Sequence, residues 1–273
     1  MAEIKLLALD LDGTLFNSQK VVSEENKAAL RAVRERGIKV VITTGRPLKA
    51  IGGLLEELDL VSDQDYIITF NGGLVQKTTG HILDKSQLKY QDLKKLYQVL
   101  EPLSLPLDVL SDNMVYSLSS QGNHSSYHKA NPLLTFVEVE DFEAVPKQAV
   151  YNKVLSVTDA DFLDQQIEKL PNELYKEFEV FKSRDIILEI MPKGVHKAFG
   201  LSLLIKHLGF TPANVMAMGD EENDLTMLEW AGLGVAMANG TTTAKEKADA
   251  VTTRTNEESG VAEAVHKYIL SED

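Results

Sequence analysis

The sequence predicts an α/β fold, a parallel sheet wrapped by helices with an α+β segment inserted into it. Three observations predict it. Short apolar runs alternate with amphipathic segments over the first third of the chain, paired short strands replace that alternation in the middle, and the alternation returns from Lys197 onward.

Taken in order, Ile4–Leu9 is apolar apart from Lys5 and reads as a buried strand ending at Asp10, with Asp12-Gly13-Thr14 as the turn that follows. Ser23 caps a helix over Glu24–Arg36, which carries acids in its first turn, bases in its last and Gly37 as its stop. Ile38–Thr43 is a second buried strand closed by Thr44-Gly45-Arg46-Pro47, and a helix is expected over Leu48–Leu58. Tyr66–Phe70 is a third strand, ending in Asn71-Gly72-Gly73. Strand, helix, strand, helix, strand is the grammar of parallel pairing. In the insert, Leu107–Leu110 and Met114–Leu118 flank Ser111-Asp112-Asn113 as one hairpin, and Val180–Lys182 and Ile186–Met191 flank Ser183-Arg184-Asp185 as another. Between them lie a strand, Lys153–Val157, and a capped helix, Asp159–Lys169. The alternating pattern then resumes: a helix over Lys197–His207 stopped by Gly209, a short helix from Thr211-Pro212, and a strand over Val215–Met218 ending in Gly219-Asp220. A helix over Glu222–Ala231 and a last strand over Gly234–Met237 complete it.

Composition narrows the function. With 28 basic against 41 acidic residues the 273-residue chain has a net charge of −13, which disfavours nucleic acid and anionic membrane surfaces as partners. The absence of cysteine excludes a disulfide scaffold, a thiolate nucleophile and a cysteine-ligated metal. No signal segment and no membrane-length apolar run is seen, so a cytoplasmic protein is expected.

Open parallel sheets bind ligands beyond the carboxyl ends of their strands. Asp10-Leu11-Asp12-Gly13-Thr14 follows the first strand, Thr44-Gly45-Arg46 the second, and Gly219-Asp220-Glu221-Glu222-Asn223-Asp224 the last long one. Carboxylates converging on one place repel unless a cation lies between them, and oxygen ligands select a hard divalent ion, Mg²⁺ before Ca²⁺. Each motif alone is weak, since an isolated Asp-x-Asp is usually a solvated turn. Their joint placement at strand ends is the informative feature.

In that arrangement Asp10-Leu11-Asp12-Gly13-Thr14-Leu15 resembles the first motif of the haloacid dehalogenase-like (HAD) phosphatases. Ile42-Thr43-Thr44-Gly45-Arg46-Pro47 is similar to the second motif of their Cof-type branch, Val195-His196-Lys197 to the third, and Gly219 through Asp224 to the fourth. Asn71-Gly72-Gly73 and Gly234-Val235-Ala236-Met237 resemble lesser signatures of that branch. Two positions depart from the pattern: Ala198 stands where glycine is usual, and Asn239-Gly240 replaces Asn-Ala. Neither removes a reacting group.

The resemblance implies a Rossmann-like catalytic core over residues 1–82 and 190–273 and an α+β, C2-type, substrate-covering cap over 83–189. It also implies an Mg²⁺-dependent phosphatase of small phosphate esters, with sugar phosphates favoured. Asp10 is then the nucleophile that forms an aspartyl-phosphate, and Asp12 the general acid and later the base. The metal lies among Asp10, the Asp12 carbonyl and Asp220, with Glu221 or Asp224 in or near its shell. Leu11 and Gly45 N–H groups, Thr44, Lys197 and Asn223 bind the phosphoryl oxygens, with Arg46 either structural or reaching the substrate.

Other polar residues have plainer readings. His124 and His128 share i, i+4 spacing in an expected insert helix, but with no third ligand evident they read as exposed polar residues rather than half a metal site. His196 reads as a supporting or surface residue, Met216, Met218 and Trp230 as packing, and Lys245 to Lys247 as a solvated helix face. A phosphomutase of the phosphomannomutase type and a non-catalytic metabolite sensor compete with the phosphatase reading. A nicotinamide dehydrogenase is disfavoured because no G-x-G-x-x-G follows the first strand. Oligomeric state stays open.

Overall fold

The computed structural model describes residues 3–112 and 114–271. The core sheet starts with β1 (Leu6–Leu9), β2 (Lys39–Thr43), β3 (Tyr66–Thr69), β4 (Leu74–Lys77) and β5 (Ile82–Lys85). The chain then builds a second sheet from β6 (Leu107–Ser111), β7 (Met114–Leu118), β8 (Thr135–Val139), β9 (Lys153–Val157), β10 (Phe178–Arg184) and β11 (Ile187–Pro192). It returns with β12 (Val215–Gly219), β13 (Leu233–Ala236) and β14 (Ala250–Val251). The chain divides into two compact units, one holding the segments up to Gly45, Gly53–Lys85 and from His196 onward, the other Arg46–Gly52 with Ser86–Val195.

In the first unit the strand order is β14-β13-β12-β1-β2-β3-β4-β5. The six strands from β14 to β3 are parallel, as the alternating grammar predicts, and β1 and β12 are buried end to end. The continuous apolar runs exist because helices cover both faces of such strands. The hairpin β4–β5, absent from the sequence reading, extends the sheet antiparallel at one edge. Ser23 caps the helix Glu24–Glu35 by accepting from the Asn26 N–H. The single helix expected over Leu48–Leu58 is instead a 3₁₀ turn, Leu48–Ile51, and a short helix, Leu54–Glu57. Gly52 between them has φ 58°, which ends the first turn.

The second unit has the sheet order β10-β11-β9-β6-β7-β8. One face packs on a core that includes Leu93, Leu96, Val109, Leu118, Val154 and Leu188. The neighbouring positions on the strands carry charge: Lys153 and Glu189 pair at 2.7 Å while almost wholly buried, and buried Asp108 accepts from Ser117 and Ser125 hydroxyls. Burial pushes the Asp108 carboxyl up to about 6 against those hydrogen bonds. The helix expected to hold both histidines begins at Tyr127, so His124 precedes it and only His128 lies on it, edge-on to Phe136. Asn113, in the expected hairpin turn, lies outside the described residues. Among the described residues no helix is long and apolar enough to cross a membrane.

Candidate active site

Two adjacent parallel strands end side by side: Leu9 of β1 is opposite Met218 of β12, and the Asp10 N–H donates to the Met218 carbonyl at 3.1 Å. Asp10 and Asp220 therefore leave the sheet edge together. Asp224 joins them through the 3₁₀ turn Glu222–Asp224. Its Oδ2 accepts from the Asp220 and Glu221 N–H groups at 2.8 and 3.1 Å, and its Oδ1 from Lys197 Nζ at 2.5 Å. One oxygen from each of Asp10, Asp220 and Asp224 lies within 4.8 Å of the others, and all three residues are buried.

Lys197 is fully buried between them, 2.5 Å from both Asp10 Oδ1 and Asp224 Oδ1. It opens the helix Lys197–Leu208, and the helix is capped by His196, whose Nδ1 accepts from the Phe199 N–H. His196 is thus a capping residue. A close backbone approach sets the helix in place: a Cβ on Gly72, which has φ +99°, would stand 2.2 Å from the His196 carbonyl oxygen. This accounts for glycine in Asn71-Gly72-Gly73. Gly13 meets the same demand on the opposite side, with φ +84° and a Cβ position 2.1 Å from Asp220 Oδ2.

Three buried carboxylates face one ammonium. At an effective dielectric of ~20, two full charges 4.8 Å apart repel by about 3.5 kcal/mol. Burial, with Asp224 and Asp12 adding repulsion against the attraction of Lys197, pushes Asp10 up to about 7. Burial, with Asp10 and Asp224, pushes Asp220 up to about 9, although the Thr14 hydroxyl opposes this by donating to Asp220 Oδ1 at 2.7 Å. For Lys197 burial acts downward, and the two carboxylates override it to hold the ammonium above its usual value. An oxygen-only donor set with unbalanced negative charge fits a hard divalent cation.

These shifts give a sign for pH dependence. The folded protein holds protons on Asp10 and Asp220 that the unfolded chain releases near 3.8, so this stability is lost as pH rises through about 7 and about 9. EDTA-treated protein should melt higher at about pH 5 than at about pH 8.5, and Mg²⁺ should raise the melting temperature most at the alkaline end. A metal-free melting temperature that climbs over this range would contradict the arrangement.

The remaining sequence candidates fall into two groups. Asn223, Thr44 and Gly45 converge on one further residue, Asn71. The Asn223 amide donates to Asn71 Oδ1 at 3.1 Å, the Asn71 N–H donates to the Thr44 carbonyl at 3.0 Å, and a Cβ on Gly45 would stand 2.9 Å from Asn71 Oδ1. Leu11 is fully buried in the turn beyond β1, its carbonyl accepting from Phe16 N at 2.7 Å. Asp12 is half-buried and pairs with Lys20. Glu221 is not brought into the carboxylate cluster: its side chain accepts from the Asp224 N–H in a reciprocal capping box. Arg46 belongs to the second unit and donates to the Ala50 carbonyl at 3.3 Å. The contacts of Thr14 with Asp220, of Asn71 with Asn223 and of Lys20 with Asp12 are not among the sequence expectations, although Thr14 and Asn71 lie inside the Asp12-Gly13-Thr14 and Asn71-Gly72-Gly73 motifs.

A family model of haloacid dehalogenase-like hydrolases matches residues 7–265. The chain is 32% identical over 268 residues to the 5-amino-6-(5-phospho-D-ribitylamino)uracil phosphatase YcsE of Bacillus subtilis, covering 98% of this chain and 97% of that protein. A haloacid dehalogenase-like hydrolase from Bacteroides thetaiotaomicron superposes with a TM-score of 0.82 at 34% identity, over 97% of this chain and 99% of that one. The HAD subclass IIB sugar phosphatase BT4131 shares the fold, with a TM-score of 0.81 at 24% identity over 97% and 98% of the two chains. With its carboxylates and lysine gathered at the ends of β1 and β12, the chain belongs to the haloacid dehalogenase-like hydrolases, as a phosphatase of their Cof-type branch.

Proposed function

We propose that the protein is a cytoplasmic, Mg²⁺-dependent phosphatase of small phosphorylated metabolites, sugar phosphates foremost, acting through an aspartyl-phosphate. The observation that carries this reading is the buried junction of Asp10, Asp220 and Asp224 with Lys197. In this reading an Asp10 carboxylate oxygen attacks phosphorus as the bond to the leaving oxygen breaks, and Asp12 delivers a proton to that oxygen. Asp12 then takes a proton from the water that attacks the aspartyl-phosphate, releasing inorganic phosphate and restoring Asp10. Lys197 holds the Asp10 carboxylate in place and offsets charge on the transferred group. Leu11 and Gly45 N–H groups, Thr44 and Asn223 hold the phosphoryl oxygens, with Asn71 fixing the orientation of the Asn223 amide.

Asp10, Asp220 and the Asp12 carbonyl are the residues proposed to hold Mg²⁺, with Asp224 setting the shape of the site and Glu221 serving as a cap. The bound ion supplies charge neutralisation between the nucleophile and the phosphoryl group. The segment 83–189 is proposed as the cap that selects the leaving group, with Lys153, Glu189 and Asp108 as its buried polar equipment. The test is a panel of phosphorylated metabolites ranked by kcat/KM with Mg²⁺. Phosphate release, greatest for sugar or polyol phosphates and lost on chelation, is expected. Isomer formation without phosphate release would instead support a mutase, and no turnover of any ester would overturn the reading.

A further inference from the structure

The turn that ends β3 departs from ordinary backbone geometry. Phe70 and Asn71 both have φ 51°, and Gly72 follows at +99°, three successive residues in the left-handed region. Glycine enters that region freely. A buried phenylalanine does not, and such conformations persist where the surroundings over-determine them. Here the surroundings are three of the sequence motifs. The Asn71 N–H donates to the Thr44 carbonyl at 3.0 Å, which ties the turn to the second motif. Behind the third motif, a Cβ on Gly200 would stand 2.7 Å from the Gly72 Cα, so the turn lies directly against the Lys197–Leu208 helix. To the fourth motif, Asn71 Oδ1 accepts from the Asn223 amide at 3.1 Å, across 152 residues of sequence. Asn71 is 1% exposed, so these contacts are shielded from water.

The plain explanation of an asparagine here is that it tolerates the left-handed conformation. That explanation accounts for the backbone and leaves out the side chain, which is buried and bonded to Asn223. We propose that Asn71 is a positioning residue that couples the second and fourth motifs: its backbone is fixed to Thr44, and its side chain passes that fix to Asn223. This rests on the phosphatase reading above, in which Asn223 binds a phosphoryl oxygen. An amide has a donor end and an acceptor end, and Asn71 Oδ1 engages the donor end of Asn223, selecting one of its two orientations. Without that acceptor both orientations are open, and an anion would have to select one as it binds.

The experiment measures kcat/KM on the panel's best ester, competitive inhibition by inorganic phosphate, and melting temperature. It compares the parent, Asn71→Gly, Asn223→Ala, the double variant and Asn71→Ala. Glycine accepts the left-handed conformation and keeps the N–H that bonds Thr44, so Asn71→Gly removes the amide alone. It is expected to lower kcat/KM and weaken phosphate inhibition, each by roughly 10-fold. Its melting temperature should stay within about 3 °C of the parent, because relief of backbone strain offsets the freedom glycine adds to the unfolded chain. Asn223→Ala should lose roughly 10- to 100-fold, the scale of a hydrogen bond to a charged group. The double variant should fall no more than about 2-fold below Asn223→Ala, since the first amide acts through the second. Asn71→Ala should match Asn71→Gly in activity yet melt lower, because alanine is strained at this φ. Parent-like activity in Asn71→Gly would show that the asparagine serves only the backbone, and losses that multiply in the double variant would show that the two amides act independently. Either result overturns the assignment and leaves the phosphatase reading intact. A parent that turns over no ester would remove that reading and this assignment with it.

Discussion

Asp10→Asn will lower turnover of every phosphate ester by at least ~10⁴-fold, the scale on which removal of a nucleophile acts. The fold will survive it. Asparagine matches aspartate in shape, and Asp10 is hydrogen-bonded through its backbone to Met218 whichever side chain it carries. The electrostatics point further. With Asp10 neutral, Asp220 and Asp224 face Lys197 with one negative charge fewer, and the repulsion that adds to burial in pushing Asp220 up to about 9 is reduced. The metal-free variant should therefore melt no lower than the parent near pH 8, while gaining less from added Mg²⁺ because one of its proposed ligands has gone. An inactive variant with parent-like melting and a smaller Mg²⁺ response is the expected triad of results. Turnover above about 1% of the parent, with reversion to aspartate excluded by mass spectrometry, would remove Asp10 from the role of nucleophile.

How much of this was legible beforehand depended on where each residue sits. β1, β2, β3, β12 and β13 were readable because strands buried on both faces are continuous apolar runs. The edge strand β5, Ile82–Lys85, alternates exposed and half-buried positions over four residues, too short a pattern to separate from a loop. β8 was missed in the same way, its middle residues Phe136 and Val137 only half-buried. The helix break at Gly52-Gly53 was visible as a glycine pair but was outweighed by the leucines around it. At the site, Asp10, Asp220 and Lys197 were legible because strand and helix ends determine their placement. Glu221 and Asp224 were not separable by spacing alone. In the structure the Glu221 side chain accepts from the Asp224 N–H in a capping box, while Asp224 Oδ1 accepts from Lys197. Lys20 carried no signal at all, because its pairing with Asp12 exists only through a left-handed turn.

Lys197→Met will be the most destabilising single change at the site, as well as an inactivating one. The lysine side chain is 0% exposed, and both of its partners are buried carboxylates. Methionine fills similar length without the charge, so packing changes little and the electrostatic loss dominates. Breaking a buried ion pair by removing one partner typically costs 3–5 kcal/mol, because the other charge is left without compensation. For a chain of this size that corresponds to a melting temperature lower by roughly 10 °C. The origin of the loss can be isolated. If it comes from stranded carboxylates, then Asp10→Asn added to Lys197→Met should raise the melting temperature again, and lower pH should raise it too, as Asp10 takes up a proton. Mg²⁺ should restore part of the stability but not the activity, since the cation offsets charge without replacing the ammonium that holds Asp10 Oδ1 and Asp224 Oδ1 in register. A loss caused by disturbed packing at the start of the Lys197–Leu208 helix would respond to none of the three. Melting curves of the single and double variants at about pH 5.5 and 8, with EDTA or with Mg²⁺, separate the two causes. Strict additivity of the two substitutions would rule out the electrostatic one.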